Sequence, residues 1–193
     1  MDIFKCFPQF SQKSIPVGTL LAQTWNTELL EEVGQAVAVE MQEFGVAWWL
    51  APGMNVHRNP LCGRNFEYYS EDPLVSGKMA TAITRGVQSK EGVGNTIKHF
   101  ACNSQEDNRM GSNSILSERT LREIYLRGFE IAVKTSQPMA IMTSYNLING
   151  VHAANCKDIC TVAARKEWDF QGIIMTDWTT TMPQGGSLSW KCV

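Results

Sequence analysis

The sequence has no hydrophobic run long enough to cross a membrane, and it has little net charge. A membrane-spanning helix needs roughly 18 or more consecutive apolar residues, and no stretch of the chain approaches that length. The formal net charge is only −2, so neither nucleic acid nor an anionic membrane is expected as a partner. The first residues also lack the long apolar core of a secretory signal peptide, so a cytoplasmic location is the expectation.

The chain also lacks the short motifs that define several large classes of enzyme. It contains no GxGxxG, P-loop, GxSxG or HExxH sequence, which leaves nucleotide-binding, serine-hydrolase and zinc-protease functions without support. Its six cysteines form no CxxC pair, so reduced thiols are favoured over a disulfide framework. His152, Cys156 and Cys160 are evenly spaced, but His152 precedes the predicted helix and no fourth ligand is near. No metal or cofactor is therefore predicted.

Helical and strand-like patterns alternate along the chain. Apolar residues recur at helical spacing after capping residues such as Asn26 and Ser117, and short apolar runs separate these segments. Four such alternations are typical of an α/β protein with a parallel sheet. The predicted helices cover 26–44, 74–88, 117–133 and 155–168, and the predicted strands cover 46–51, 93–100, 138–143 and 172–177.

Polar side chains follow each predicted strand, which distinguishes between two kinds of parallel sheet. A (β/α)8 barrel builds its active site from the loops at the carboxyl ends of many strands, whereas an open doubly wound sheet has one switch point. Four separate polar clusters favour the barrel. A complete barrel needs about 250 residues, so we predict a partial (β/α)8 TIM-type barrel that stops early. The clusters contain Arg64 with Glu67, Lys98 with His99, Tyr145, and Asp177.

Asp177 and Trp178 are the strongest candidates for a functional role. Asp177 ends an apolar run and Trp178 follows it. A carboxylate at the end of such a strand can act as a nucleophile, a general base or a metal ligand, and an indole offers a flat face to a sugar or a ring. The alternative is that Asp177 caps a turn and Trp178 packs in the core.

The other candidates also leave two interpretations open. Lys98 and His99 suit the hydroxyl groups of a polyol, because lysine donates hydrogen bonds and neutral histidine both donates and accepts. They can equally be a solvated lysine and a histidine bonded to the backbone. Arg64 can bind substrate oxygens or form an internal ion pair with Glu67. Tyr145 can orient a carboxylate or lie in the core.

Six ordered stretches carry a resemblance to a known family. They are GTLLAQTWN (18–26), LAPGMNVHRNP (50–60), CGRNFEYYSEDP (62–73), KHF (98–100), MTSYN (142–146) and GIIMTDW (172–178). Together they resemble the catalytic barrel of glycoside hydrolase family 3, especially its bacterial β-glucosidases, from about Thr19 to Trp190. The resemblance implies hydrolysis of terminal β-D-glucosyl residues of a β-glucoside or oligosaccharide by a retaining mechanism. A β-xylosidase, another exo-glycosidase or an inactive sugar-binding fragment are the alternatives.

The resemblance also implies a role for each candidate residue. Asp177 would be the catalytic nucleophile, and a second carboxyl would act first as acid and then as base. Trp178 would form the aglycone side of the pocket, and Tyr145 would lie against the nucleophile. The residues implied to hold the hydroxyl groups of the terminal sugar are Arg64, Lys98 and His99.

Two departures from the family pattern limit this interpretation. Residues 1–18 do not resemble the family, so the predicted organisation is an atypical segment at 1–18 and a partial barrel at 19–193. The acid/base glutamate of the β-glucosidases lies in a second domain, so it is expected outside this chain.

The N-acetylglucosaminidase branch is disfavoured because its loop histidine has no counterpart in 103–115. Open barrel edges predict a homo-oligomer or poor solubility.

Overall fold

The computed structural model describes residues 14–180, in which four parallel strands form the central sheet. Most of the predicted segment 1–18 and residues 181–193 lie outside the described residues. The central sheet has the order β1-β2-β4-β7, and a smaller sheet has the order β3-β5-β6. The strands are β1 (Trp48–Trp49), β2 (Gly94–Phe100), β3 (Asn113–Ser114), β4 (Ala140–Thr143), β5 (Leu147–Ile148), β6 (Val151–His152) and β7 (Ile173–Met175).

Helical segments connect the strands of the central sheet. None of the helices within residues 14–180 is long and apolar enough to span a membrane. The α-helices are α1 (Gly18–Gln23), α2 (Thr27–Glu43), α3 (Pro73–Val87), α4 (Glu118–Thr120) and α5 (Arg127–Ser136). The remaining segments are π-helices at Leu121–Tyr125 and Asp158–Glu167 and a 3₁₀ turn at Ala153–Asn155.

The order of the central strands follows the order of the chain. Trp48 pairs with Gly94, Thr96 with Ala140, and Ala140 with Ile173, and every pair of strands is parallel. A doubly wound sheet reverses its strand order, whereas a barrel adds each new strand beside the last. The prediction of a partial TIM-barrel-like α/β fold is therefore confirmed.

Local capping determines where the first long helices begin. The side chain of Asn26 accepts a hydrogen bond from the Leu29 N–H at 3.0 Å and begins α2 as predicted. Asp72 accepts from the Leu74 N–H at 2.7 Å, and Pro73 fits the first turn of α3, where its missing N–H costs nothing. Each cap satisfies a backbone donor that has no partner within the helix.

Two glycines allow α2 and α3 to pack with their backbones in contact. A Cβ atom on Gly34 would lie 2.6 Å from the Ile83 carbonyl oxygen, and one on Gly86 would lie 2.1 Å from that of Glu31. Both separations are shorter than any van der Waals contact, so the crossing requires glycine in both helices.

An aromatic cluster joins the sheet to the helices beneath the end of β2. The Phe100 ring lies edge-on to Phe129 at 5.1 Å and to Trp168 at 5.8 Å, and all three side chains are buried. Complete burial of one such side chain stabilises the fold by about 1.5–3 kcal/mol. The cluster therefore anchors the strand that carries Lys98 and His99.

Arg165 fixes the turn that leads into β7. Its Nη1 donates hydrogen bonds to the carbonyl oxygens of Phe170 at 2.7 Å and Gly172 at 2.6 Å, and its guanidinium lies 5.0 Å from the centre of the Phe170 ring. The π-helix is thereby tied to the strand that ends just before Asp177.

Three local expectations differ from the structure. The strand expected at 46–51 pairs with β2 only at Trp48 and Trp49. Pairing with β2 resumes at Gly53, which bridges Lys98, and Pro52 just before it has no N–H to donate. The last predicted helix begins at Asp158, and its expected cap, Asn155, lies in the preceding 3₁₀ turn. Residues 103–115, for which no helix or strand was predicted, contribute β3 to the small sheet.

Candidate active site

The carboxyl ends of β2, β4 and β7 bring the candidate residues together with the loop that follows β1. Contacts link Arg64 to Lys98 through Glu67, His99 to Asp177, and Tyr145 to Trp178. Lys98 and His99 adjoin in β2, and Asp177 and Trp178 adjoin after β7. All six predicted site residues therefore belong to one cluster, which consists of Arg64, Lys98, His99, Tyr145, Asp177 and Trp178.

Asp177 is almost completely buried, and its two carboxylate oxygens have different surroundings. Its side chain accepts the Trp178 N–H at Oδ1 at 2.7 Å, while Oδ2 lies 3.7 Å from Nε2 of His99. Its backbone oxygen accepts the Thr180 hydroxyl at 2.8 Å, which closes the turn after the strand. Trp178 is 71% exposed. The alternative that Trp178 packs in the core is therefore wrong for this structure.

His99 is buried in a neutral form beside this carboxylate. Burial lowers its pKa to about 2, and repulsion from Arg64, Lys98 and Arg109 acts in the same direction. Asn55 binds both backbone groups of His99. Its Oδ1 accepts the His99 N–H at 2.7 Å, and its Nδ2 donates to the His99 carbonyl at 2.8 Å. The backbone that carries the imidazole is therefore held in place.

Glu67 holds both cationic candidates. Arg64 donates from Nε and Nη2 to the two oxygens of Glu67 at 2.8 and 2.9 Å, and Lys98 Nζ lies 3.3 Å from Oε1. The internal ion pair that the sequence left as an alternative is thus present. A guanidinium carries five N–H donors and an ammonium three. Both cations consequently keep hydrogen-bonding capacity for a ligand oxygen.

A second layer of polar side chains lies behind His99. The Tyr68 hydroxyl is 3.2 Å from Nδ1 of His99 and accepts the Asn103 Nδ2–H at 2.9 Å. The same Nδ2 donates to Glu106 at 3.0 Å, and Glu106 accepts from Arg109 at 2.8 Å. Asn55 and Tyr68 lie within the stretches that carry the family resemblance, but neither they nor Asn103, Glu106 and Arg109 were predicted as site residues.

Tyr145 completes the cluster on the side of β4. Its hydroxyl donates to the Trp178 carbonyl, and the Arg109 guanidinium lies 4.6 Å from the centre of its ring. Burial raises the pKa of Tyr145, and the negative charge of Asp177 raises it further. Tyr145 therefore stays protonated and donates its hydrogen bond to the backbone that follows Asp177.

The cluster can bind and react with an uncharged, oxygen-rich ligand. It offers one carboxylate with an oxygen facing a neutral imidazole, two cations with spare donors, and an exposed indole face. Within the described part of the chain, no three His, Cys, Asp or Glu residues are grouped as a metal site requires.

These features define the chain as a segment of a (β/α) barrel with a polar site at the carboxyl ends of its strands. Residues 9–187 match the family model described as the glycosyl hydrolase family 3 N terminal domain. The chain therefore belongs to glycosyl hydrolase family 3, as the resemblance predicted.

Characterised relatives cover most of this chain. It is 50% identical to beta-glucosidase A of Butyrivibrio fibrisolvens over 86% of its own length and 20% of that protein. It is 49% identical to an exo-alpha-(1->6)-L-arabinopyranosidase of Bifidobacterium breve over 90% of its length and 23% of that protein. The chain thus spans about a fifth of the length of the curated relatives that it matches.

A solved structure supports the fold over the same region. Beta-glucosidase 3B of Thermotoga neapolitana in complex with glucose has a TM-score of 0.84 and 57% sequence identity to this chain, covering 86% of this chain and 23% of that one. A likeness of this size over most of this chain shows that the two proteins share the fold in this region.

Proposed function

We propose that this chain supplies the sugar-binding pocket and the nucleophile of a β-glucosidase. The observation that carries the proposal is the position of Asp177, which is buried at the end of β7 with one oxygen held by a backbone N–H and the other facing His99. The relatives named beta-glucosidases support the choice of chemistry.

The proposed reaction uses this carboxylate as its nucleophile. Asp177 attacks the anomeric carbon of a terminal β-glucosyl residue and forms a covalent glycosyl-enzyme as the aglycone leaves. Water then releases glucose with retention of configuration. A second carboxyl group protonates the leaving oxygen and later activates the water, and the retaining geometry requires it about 5–5.5 Å from Asp177.

The cluster around Asp177 holds the sugar in place. Lys98 and Arg64 donate to its hydroxyl groups while Glu67 keeps both cations in position. His99 contributes one neutral ring nitrogen beside the carboxylate. The exposed face of Trp178 packs against the aglycone, because an indole is flat and apolar with one polar edge.

A second candidate is an exo-glycosidase that acts on a different pyranose. The arabinopyranosidase relative is 49% identical to this chain, almost the same as the β-glucosidases. Sequence identity therefore does not separate the two candidates, and the choice between them depends on which hydroxyl groups the pocket accepts.

A mechanism-based label tests the role of Asp177 without the acid/base group. A 2-deoxy-2-fluoro-β-glucoside with a dinitrophenolate leaving group needs little protonation, so the nucleophile alone suffices to form the adduct. We expect intact-protein mass spectrometry to show one glucosyl adduct, and peptide mapping to place it on Asp177. Asp177→Asn should abolish the label, whereas the control Asp169→Asn should retain it. An unlabelled wild-type chain would refute the assignment.

The same label compares the candidate sugars. Matched 2-fluoro donors with xylose and arabinopyranose rings measure the rate of adduct formation on the same nucleophile. We expect the glucosyl donor to react fastest. A faster arabinosyl donor would favour the second candidate while leaving Asp177 as the nucleophile.

A further inference from the structure

We propose that Tyr68 is a positioning residue that fixes which nitrogen of His99 carries the ring proton, so that the Nε2–H is always directed toward Asp177. Tyr68 is completely buried, and its hydroxyl lies 3.2 Å from Nδ1 of His99, while Nε2 lies 3.7 Å from Asp177. The inference rests on the proposed function only for the use of this proton, because the hydrogen-bond directions stand by themselves.

Arg109 determines the direction of the hydrogen bonds that lead to His99. A guanidinium can only donate and a carboxylate can only accept, so the 2.8 Å bond from Arg109 to Glu106 has one possible direction. The other oxygen of Glu106 lies 3.0 Å from the Asn103 amide. An amide oxygen there would face a carboxylate oxygen, so the NH₂ group of Asn103 must occupy this position.

The orientation of the Asn103 amide in turn determines the hydrogen bond to Tyr68. Its Nδ2 also lies 2.9 Å from the Tyr68 hydroxyl oxygen and donates to it. Burial raises the pKa of Tyr68 far above its usual range, so the hydroxyl keeps its proton. Since the oxygen already accepts from Asn103, its own O–H is directed to the remaining neighbour, Nδ1 of His99.

The proton on His99 must then lie on Nε2. A neutral imidazole has one N–H and one acceptor nitrogen, and Nδ1 is committed as the acceptor. The opposite tautomer would aim the Nε2 lone pair at the carboxylate of Asp177 and leave the Tyr68 proton without its acceptor. A sugar hydroxyl placed between His99 and Asp177 therefore has to accept a hydrogen bond from His99, and it can donate its own proton to the carboxylate.

Nitrogen-15 NMR of the histidine rings tests this tautomer directly and requires no turnover. The chain has three histidines, so spectra of the His57→Gln and His152→Gln variants assign His99 by elimination. We expect His99 to show a pyrrole-type Nε2 and a pyridine-type Nδ1, unchanged between pH 5.5 and 8. A pyrrole-type Nδ1 would overturn the proposal.

Two variants separate the effect of Tyr68 from that of Asp177. In Asp177→Asn the carboxylate charge is gone, and we expect Tyr68 to keep His99 as the single Nε2–H tautomer. Adding Tyr68→Phe to this variant should give a mixture of tautomers, whereas adding the control Tyr69→Phe, which removes the hydroxyl of a neighbouring buried tyrosine, should not. Mixed tautomers in Asp177→Asn alone, or a pure Nε2–H tautomer after Tyr68→Phe, would refute the role of Tyr68.

The result is distinguishable from failure of the proposed function. Labelling of Asp177 with a fluoroglucoside reports on the nucleophile, while the NMR spectra report on the resting hydrogen-bond network. A labelled Asp177 with an Nδ1–H His99 would overturn this inference alone, and an Nε2–H His99 in a chain that is not labelled would overturn the glycosidase proposal alone.

Discussion

Replacement of Glu67 by glutamine should destabilise the chain far more than a matched replacement elsewhere. The change keeps the shape of the side chain but removes the negative charge between Arg64 and Lys98, whose side chains are 20% and 16% exposed. Removing one partner of a buried ion pair costs about 3–5 kcal/mol. Because these side chains retain some contact with water, we expect a loss of about 2–3 kcal/mol in the free energy of unfolding.

Glu130 provides a control, because its side chain is about as exposed as that of Glu67 (23% against 21%) but its cationic partners are more exposed. It also binds two cations, Arg127 and Lys134, each at 2.8 Å, but their side chains are 50% and 46% exposed. Ion pairs between residues three or four apart on a helix contribute roughly 0.2–0.5 kcal/mol each, so loss of both in Glu130→Gln should cost no more than about 1 kcal/mol. Increasing salt should reduce the effect of Glu130→Gln and leave most of the effect of Glu67→Gln.

Urea unfolding followed by tryptophan fluorescence measures the change in the free energy of unfolding in both variants. Thermal unfolding of the same variants measures the change in melting temperature. At about 2–4 °C per kcal/mol for a chain of this size, the melting temperature should fall by roughly 4–12 °C in Glu67→Gln and by no more than about 4 °C in Glu130→Gln. Glu67→Gln should also slow fluoroglucoside labelling, because Arg64 and Lys98 would lose their common anchor. Equal losses of stability in the two variants would refute the argument that Glu67 is structurally required.

Two further predictions concern pH and packing. The pKa of His99 is lower in the folded chain than in the unfolded chain, so between about pH 6.5 and 2 only the unfolded chain binds a proton there, and stability falls as pH falls. At about 1.4 kcal/mol per pH unit, the loss in the free energy of unfolding between pH 6.5 and 5 is about 2 kcal/mol. Unfolding at several pH values should show this slope in wild type and His152→Gln but a flatter one in His99→Gln, and equal slopes would contradict it. Gly86→Ala should cost about 2 kcal/mol or more, because its Cβ would meet the Glu31 carbonyl at 2.1 Å. The control Gly63→Ala, with its nearest neighbour at 3.7 Å, should be almost neutral in the same assay, and a fully stable Gly86→Ala would show that the helices do not cross there.

The sequence predicted those features that depend on neighbouring residues. The caps Asn26 and Ser117 accept backbone N–H groups within their own helices, so their short-range pattern was sufficient. The parallel sheet followed from the alternation of strands and helices, and the site followed from polar residues at strand ends. By contrast, Asn155 was expected to cap a helix that begins three residues later and has π geometry, which a pattern of 3.6 residues per turn does not describe.

The supporting residues of the site could not be predicted because their partners are distant in sequence. Asn55 binds a backbone 44 residues away, and the Tyr68 hydroxyl contacts residues 31 and 35 positions along the chain. An asparagine or tyrosine in a loop carries no local sign of such a partner. Only the fold brings these side chains behind His99, so their roles required the structure.

The ion pairs of the site also determine how it responds to ionic strength. Three cations, Arg64, Lys98 and Arg109, are balanced by the three carboxylates of Glu67, Glu106 and Asp177. A net charge of zero gives little long-range attraction for an ionised sugar such as a uronic acid or a sugar phosphate. Capture of a neutral sugar by this site should therefore vary little with salt, and its selectivity should depend on hydroxyl geometry instead of charge.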